Sequence, residues 1–258
     1  MRPAPREPMP PAVRVYLACY NFLSALAWLA VLRAMFLHFS AAAGAARGTP
    51  LSRLWASLPG ASRGLYDSVG GLLTVVQAAA LLEIAHAALG LVRSPLATTA
   101  LQVCARLTVL VGVTRASADA QRDWGFALMA VSWSLVEVPR YAFYLLKLVP
   151  GDESAVPYWL AWLRYSLFIV LYPPGIAGEV RELLVALPGA RASGMASVAL
   201  PNAYNFVWDY HSLLCFLLLL YIPGAPTMIS HMWRQRNKEL FAQPSAAAAA
   251  AGKRAKAS

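Results

Sequence analysis

The stretch Leu171-Tyr172-Pro173-Pro174-Gly175-Ile176-Ala177-Gly178-Glu179 places a phenol and a carboxyl group inside an apolar run, seven positions apart. Hydrocarbon penalises a charged side chain at a helix centre by about 2.5 to 3.5 kcal/mol on insertion scales, so an acid in such a run carries a functional expectation. A phenol and a carboxylate are suited to giving a proton to one atom of a substrate and taking one from its neighbour. On a helix, seven residues rise about 10.5 Å, a gap that two side chains can close around a pair of adjacent carbons. Pro173 and Pro174 disfavour continuous helix and Gly175 permits unusual backbone angles, so the sequence predicts a break that lines a cavity, with Tyr172 and Glu179 flanking it. The competing reading puts Glu179 at the water interface beyond the break, followed by Arg181 and Glu182 in solvent.

Other polar groups fall at helical spacing. Glu137, Arg140, Tyr141 and Tyr144 occupy positions i, i+3, i+4 and i+7, one helical face, with Pro139 among them as an expected kink. Tyr165, Phe168, Tyr172, Ile176 and Glu179 also share a face. Gln102 and Arg106 are four apart, Glu83 and His86 three apart. The deep acids Glu83, Glu137 and Glu179 balance the bases Arg106, Arg140 and Arg164, which predicts mutual pairing. Glu83, Glu137, Arg106 and Arg140 read first as struts between helices, with substrate positioning as the competing role. Tyr141, Tyr144 and Tyr165 are either packing aromatics or part of the polar site. His86 has no second His or Cys at ligand spacing, so no metal is expected. Cys19, Cys104 and Cys215 lie in three separate apolar segments, without the spacing of a disulfide frame or zinc site. No Gly-rich dinucleotide turn occurs, so no redox cofactor is expected.

The elements that must position these groups are membrane spans. Of 258 residues, 59% are apolar and 13% charged, against about 25% charged in soluble domains. Six windows are long enough to cross about 30 Å of hydrocarbon: Val13–Phe39, Gly71–Val92, Ala97–Thr114, Trp124–Leu148, Tyr158–Leu184 and Phe206–Trp233. The expected fold class is therefore all-α, a polytopic six-helix bundle over residues 1–242, with 243–258 a disordered basic tail. The first apolar run exceeds the 7–15 residues of a signal peptide and reads as an uncleaved span. The connections Ser40–Gly70 and Val185–Asn205, rich in Gly, Ala, Ser and Pro, read as loops with room for a short interfacial helix in each. More Lys and Arg fall on the side of the two termini than on the other, which predicts cytosolic termini. The fifth span would then run outward, with Tyr172 and Glu179 toward its lumenal end. The net charge of +10 reads as membrane topology; no basic stripe interleaved with aromatics marks a nucleic-acid surface.

Six blocks carry a family resemblance. They are Tyr20-Asn21-Phe22 with Trp28; Leu82-Glu83-Ile84-Ala85-His86 through Gly90-Leu91-Val92-Arg93-Ser94; Gln102-Val103-Cys104-Ala105-Arg106; Trp133 through Tyr144; Trp162-Leu163-Arg164-Tyr165; and Leu171 through Gly175 with Glu179. In this order the chain resembles the 3-hydroxyacyl-CoA dehydratases of very-long-chain fatty acid elongation, once called protein tyrosine phosphatase-like proteins. The resemblance spans almost the full chain, with Pro139 as a departure where an aliphatic residue is expected.

The resemblance implies a six-span enzyme of the endoplasmic reticulum whose catalytic pair corresponds to Tyr172 and Glu179. It implies loss of water from a 3-hydroxyacyl-CoA to give the trans-2-enoyl-CoA, without cofactor or metal. One group takes the proton beside the thioester and the other protonates the departing hydroxyl, in either assignment. Glu137, Arg140, Tyr141, Tyr144, Arg164, Tyr165, Gln102, Arg106 and Gly175 become supporting or substrate-positioning candidates. The implied partners are the acyl-CoA, the bilayer, and the condensing enzyme and reductases of elongation. The last residues, Arg254-Ala255-Lys256-Ala257-Ser258, loosely resemble a basic retrieval signal. A phosphatase is not supported, since Cys104 lacks an anion-cradling loop. A transporter would be expected to show internal repeats, which are not seen, and a scaffold would have no need of the Tyr–Glu pair.

Overall fold

The computed structural model describes residues 9–45, 60, 62–149, 156–203 and 205–241. The expected disordered tail and the first eight residues lie outside them. The described chain is helical: α1 (Pro11–Ala45), α2 (Leu65–Ala79), α3 (Leu81–Ala88), α4 (Leu96–Leu107) running into a π-helical segment Thr108–Thr114, α5 (Ala118–Arg122), α6 (Trp124–Leu146), α7 (Tyr158–Ser166), α8 (Phe168–Ser193) and α9 (Tyr210–Phe241). Five stretches among the described residues are long and apolar enough to cross a bilayer: Pro11–Ala43, Leu65–Ala88, Leu96–Thr114, Tyr158–Ser193 and Tyr210–Phe241. Helix α6, 23 residues long, is not among these five. Its charged Glu137 and Arg140 face other helices.

Burial follows the logic of a bundle in lipid. Helix α1 buries only a stripe, Leu17, Asn21, Trp28, Val31 and Met35, while Val15, Leu23, Phe36 and Leu37 stay exposed. Large apolar side chains on the outer face are costly in water and favourable in hydrocarbon. Helix α6 is the centre, packed most extensively on α8 and α1. Phe126, Met129, Ala130 and Trp133 from α6 join Trp28, Val31 and Met35 from α1 and Leu65, Val69 and Leu73 from α2 in the main core.

Several expectations change. At the expected connection Ser40–Gly70, α1 persists to Ala45 and α2 begins at Leu65, and most of what lies between is outside the described residues. The helix α8 is continuous from Phe168 to Ser193, through Pro173, Pro174 and Pro188, so no break separates Tyr172 from Glu179. Each proline removes one internal hydrogen bond, and packing against α6 compensates. The connection Val185–Asn205 is half helix: α8 persists to Ser193 and ends where Gly194 takes the left-handed φ of 58°, the usual helix-stopping conformation of glycine. Beyond it Val198 and Trp208 exchange backbone hydrogen bonds at 2.7 and 3.0 Å. Finally, the expected Tyr158–Leu184 window lengthens to Tyr158–Ser193, with Tyr172 and Glu179 near its middle.

Glycine sets the spacing of α6 and α8. A Cβ built on Gly178 falls 2.7 Å from both the Gly125 carbonyl oxygen and the Met129 amide nitrogen, and one on Gly175 falls 3.3 Å from Ser132 Cβ. Small residues let membrane helices approach at backbone distance. Gly178→Ala is therefore expected to force the helices apart and lower the melting temperature in detergent, at an overpacking cost of about 1 to 3 kcal/mol. Gly189→Ala, with nothing within 4 Å of the added Cβ, is the control and should leave melting unchanged or raise it.

Candidate active site

The close α6–α8 crossing brings Glu179 against Trp133. The indole Nε1–H of Trp133 donates to Glu179 Oε1 at 2.8 Å, and the Tyr221 hydroxyl of α9 donates to Oε2 at 2.6 Å. The carboxylate is half-buried and held from two other helices. Among the described residues no Lys or Arg forms an ion pair with it. The expected partners Arg140 and Arg164 are engaged elsewhere. Tyr172, two turns earlier on the same face, lies within electrostatic reach of Glu179 and Arg106. Its ring forms one wall of an apolar groove of about 150 Å³ between α8 and α9, lined with Phe168, Ile169, Pro173, Ile229 and Trp233. Phe168 and Trp233 meet edge to face at 6.2 Å.

A network of charges stands behind this pair. Arg140 grips Glu83 with both terminal nitrogens, at 2.7 and 3.0 Å, and its Nε donates to Glu137 at 2.5 Å. Glu137 also pairs with Arg106. Tyr141 donates to Glu83 at 2.5 Å, and Arg140 stacks over the Tyr141 ring at 4.3 Å. These groups join α3, α4 and α6, which is the strut arrangement. Arg106 reaches the site through Trp133, its guanidinium 5.1 Å over the indole whose N–H holds Glu179. His86 is a core histidine, bonded to Tyr16 at 2.8 Å and edge-on to Tyr20.

Removing Arg140 takes the ion-pair partner from the half-buried Glu83 and leaves the buried Glu137 with Arg106 alone. Arg140→Ala is expected to cost about 3 to 5 kcal/mol of stability, seen as a large fall in melting temperature or in the yield of monodisperse protein. A stable variant with selectively weakened substrate affinity would instead make Arg140 a ligand contact.

Tyr144 accepts from Arg164 Nη2 at 3.1 Å, and Arg164 stacks between Tyr144 and Tyr165 at 5.6 and 5.5 Å. Tyr165 rests edge-on against Phe143. Arg164 therefore pairs with a phenol, not with an acid, and its buried Nε has no protein partner. Gln102 is exposed on its helix, one turn before Arg106. The structure thus gathers Glu179, Tyr172 and Arg106 at one place, arranges Glu137, Arg140 and Tyr141 behind it, and leaves Gln102 to one side.

A family model described as "Protein tyrosine phosphatase-like protein, PTPLA" matches residues 77–242, which includes every one of these site residues. The chain belongs to the PTPLA family. Three relatives illustrate its breadth. Very-long-chain (3R)-3-hydroxyacyl-CoA dehydratase 2 of Mus musculus is 36% identical over 230 residues, 89% of this chain and 82% of the relative. Very-long-chain (3R)-3-hydroxyacyl-CoA dehydratase hpo-8 of Caenorhabditis elegans is 37% identical over 89% of this chain and 96% of its own length. Very-long-chain (3R)-3-hydroxyacyl-CoA dehydratase PASTICCINO 2 of Arabidopsis thaliana is 34% identical over 88% of this chain and 93% of its own. No solved structure matches the chain.

Within this PTPLA chain the phosphatase in the family's description finds no chemistry at Cys104, which is exposed on a continuous helix. Sequence reasoning passed over three groups. Trp133 lies in one of the resemblance blocks and Tyr221 in an apolar span, and neither is among the expected site residues; a lone phenol within Leu217–Ile222 is the available signal. Glu182, in solvent on the competing reading that puts Glu179 at an interface, is fully buried and accepts from Thr114 Oγ1 at 2.7 Å. Arg181, by contrast, turns outward to Asp123 at 3.0 Å.

Proposed function

We propose that this chain dehydrates very-long-chain (3R)-3-hydroxyacyl-CoA to trans-2-enoyl-CoA, with Tyr172 and Glu179 as its acid and base. The observation that carries the reading is the site itself: a carboxylate fixed by two donors, and a phenol on the same helix face opening onto an apolar groove. The names of the relatives supply the substrate class.

The groove supports one order of the two roles. In the substrate the chain runs tail, C3 with its hydroxyl, C2 with the labile protons, then thioester and CoA. The groove extends from Tyr172 toward Phe168 and Trp233, away from Glu179. A tail lying there sets C3 beside Tyr172 and C2 beside Glu179. Glu179 removes the C2 proton, the C2 electron pair forms the C2–C3 double bond, and Tyr172 protonates the leaving hydroxyl to give water. The proton on Glu179 then returns to the Tyr172 phenolate, restoring both groups.

The same reading makes α6 the sixth span, since its polar face turns into the bundle and its 23 residues suffice for the crossing. It places the enzyme in the endoplasmic reticulum membrane with cytosolic termini, acting after the reductase that makes the 3-hydroxyacyl-CoA and before the one that consumes the enoyl-CoA. Purified protein in nanodiscs should convert a long-chain (3R)-3-hydroxyacyl-CoA to the enoyl-CoA without added metal or nucleotide. A preparation that binds the substrate but never turns it over would favour the scaffold.

A further inference from the structure

We infer that the last span supplies a positioning residue of the site: Tyr221, which holds Glu179 in a reactive pose in both of its protonation states. The inference rests on the dehydratase reading and deepens it.

Trp133 and Tyr221 each contact one carboxylate oxygen of Glu179, at 2.8 and 2.6 Å, from helices α6 and α9. The two contacts are not equivalent. An indole N–H only donates, so Oε1 must always be an acceptor. A phenol donates and accepts, so Oε2 is the oxygen that can carry a proton, with the Tyr221 hydroxyl turning to accept from it. The carboxylate therefore gains a proton without either partner being left buried and unsatisfied. Without the Tyr221 hydroxyl, the protonated acid loses its acceptor and the ionised one loses half of its support, at a step where position decides rate.

The hydroxyl sits on a helix that also walls the tail groove through Ile229 and Trp233. One span thus touches both the tail subsite and the base. Groups facing Glu179 are Tyr221 from α9, Trp133 from α6 with Arg106 of α4 above its ring, and Tyr172 on its own helix. Among these, Tyr221 alone joins the carboxylate through a group that can reverse its hydrogen bond.

The test is steady-state dehydration of a long-chain (3R)-3-hydroxyacyl-CoA by Tyr221→Phe in nanodiscs, with the folded fraction measured on the same sample. The expected result is a kcat lowered about 30- to 100-fold, a KM within threefold of wild type and little change in melting. Tyr210→Phe is the control: that hydroxyl, on the same helix, donates to the Gly112 carbonyl oxygen, and its loss should lower melting while kcat per folded molecule stays at the wild-type value. Tyr221→His, which restores an N–H donor and ring nitrogen acceptor, should recover part of the rate. A kcat for Tyr221→Phe within threefold of wild type overturns the inference. So does a rate loss that only tracks lost folded protein. An inactive wild type would instead sink the dehydratase reading, which keeps the two failures apart.

Discussion

Replacing Glu179 with Gln should lower the dehydration rate by about 10³-fold or more while leaving the fold in place. The amide keeps the carboxylate's shape and its contacts. Its oxygen accepts from Trp133 Nε1, as Oε1 does at 2.8 Å, and its NH2 donates to a reoriented Tyr221 hydroxyl, now 2.6 Å from Oε2. No buried polar group is orphaned, so melting should hold. What is lost is the proton acceptor, and general-base assistance contributes about 10²- to 10⁴-fold. The upper half of that range is expected, because Glu137 and Glu83 are locked in ion pairs with Arg106 and Arg140, and the buried Glu182 is bonded to Thr114. Single-turnover rates in nanodiscs, beside melting curves on the same protein, check this. Turnover within tenfold of wild type would remove Glu179 from the chemistry.

The second large effect concerns the hydroxyl of Tyr172. Among the described residues it takes no hydrogen-bond partner, whereas Tyr141 donates to Glu83, Tyr144 accepts from Arg164 and Tyr221 donates to Glu179. Its hydroxyl is thus free to meet a substrate. Its ring, however, is part of the groove wall with Pro173 and Ile229, and Phe preserves that wall. Tyr172→Phe should therefore leave substrate affinity within about threefold and lower the chemical step by about 10²- to 10⁴-fold. A weakened affinity with unchanged kcat would make Tyr172 a binding residue and transfer the acid's role to another group.

The sequence made the bundle legible because hydrophobic length is a one-dimensional signal. The expected windows Ala97–Thr114 and Trp124–Leu148 differ from the observed helices by no more than two residues at either end. It made the strut legible because Glu137 and Arg140 share a face and demand partners. Two things stayed out of reach. The prolines at 173 and 174 read as a break because local propensity opposes helix there, while the tight contact of Gly175 and Gly178 with α6 keeps the helix intact. That contact depends on residues about fifty positions away, which no local window contains. The carboxylate's true partners were hidden for the same reason: charge counting proposes Arg for Glu179, but Trp133 and Tyr221 are neutral donors 46 and 42 positions distant.

The central claim is that one face of α8, carrying Tyr172 and Glu179, performs an elimination on a 3-hydroxyacyl thioester. It is tested most directly by following a long-chain (3R)-3-hydroxyacyl-CoA labelled with deuterium at C2, with the purified protein in nanodiscs under single-turnover conditions. The account predicts enoyl-CoA formation with loss of one label and a slower chemical step than for the unlabelled substrate, both absent in Glu179→Gln. Full label retention in the product, or equal conversion by wild type and Glu179→Gln, would contradict it.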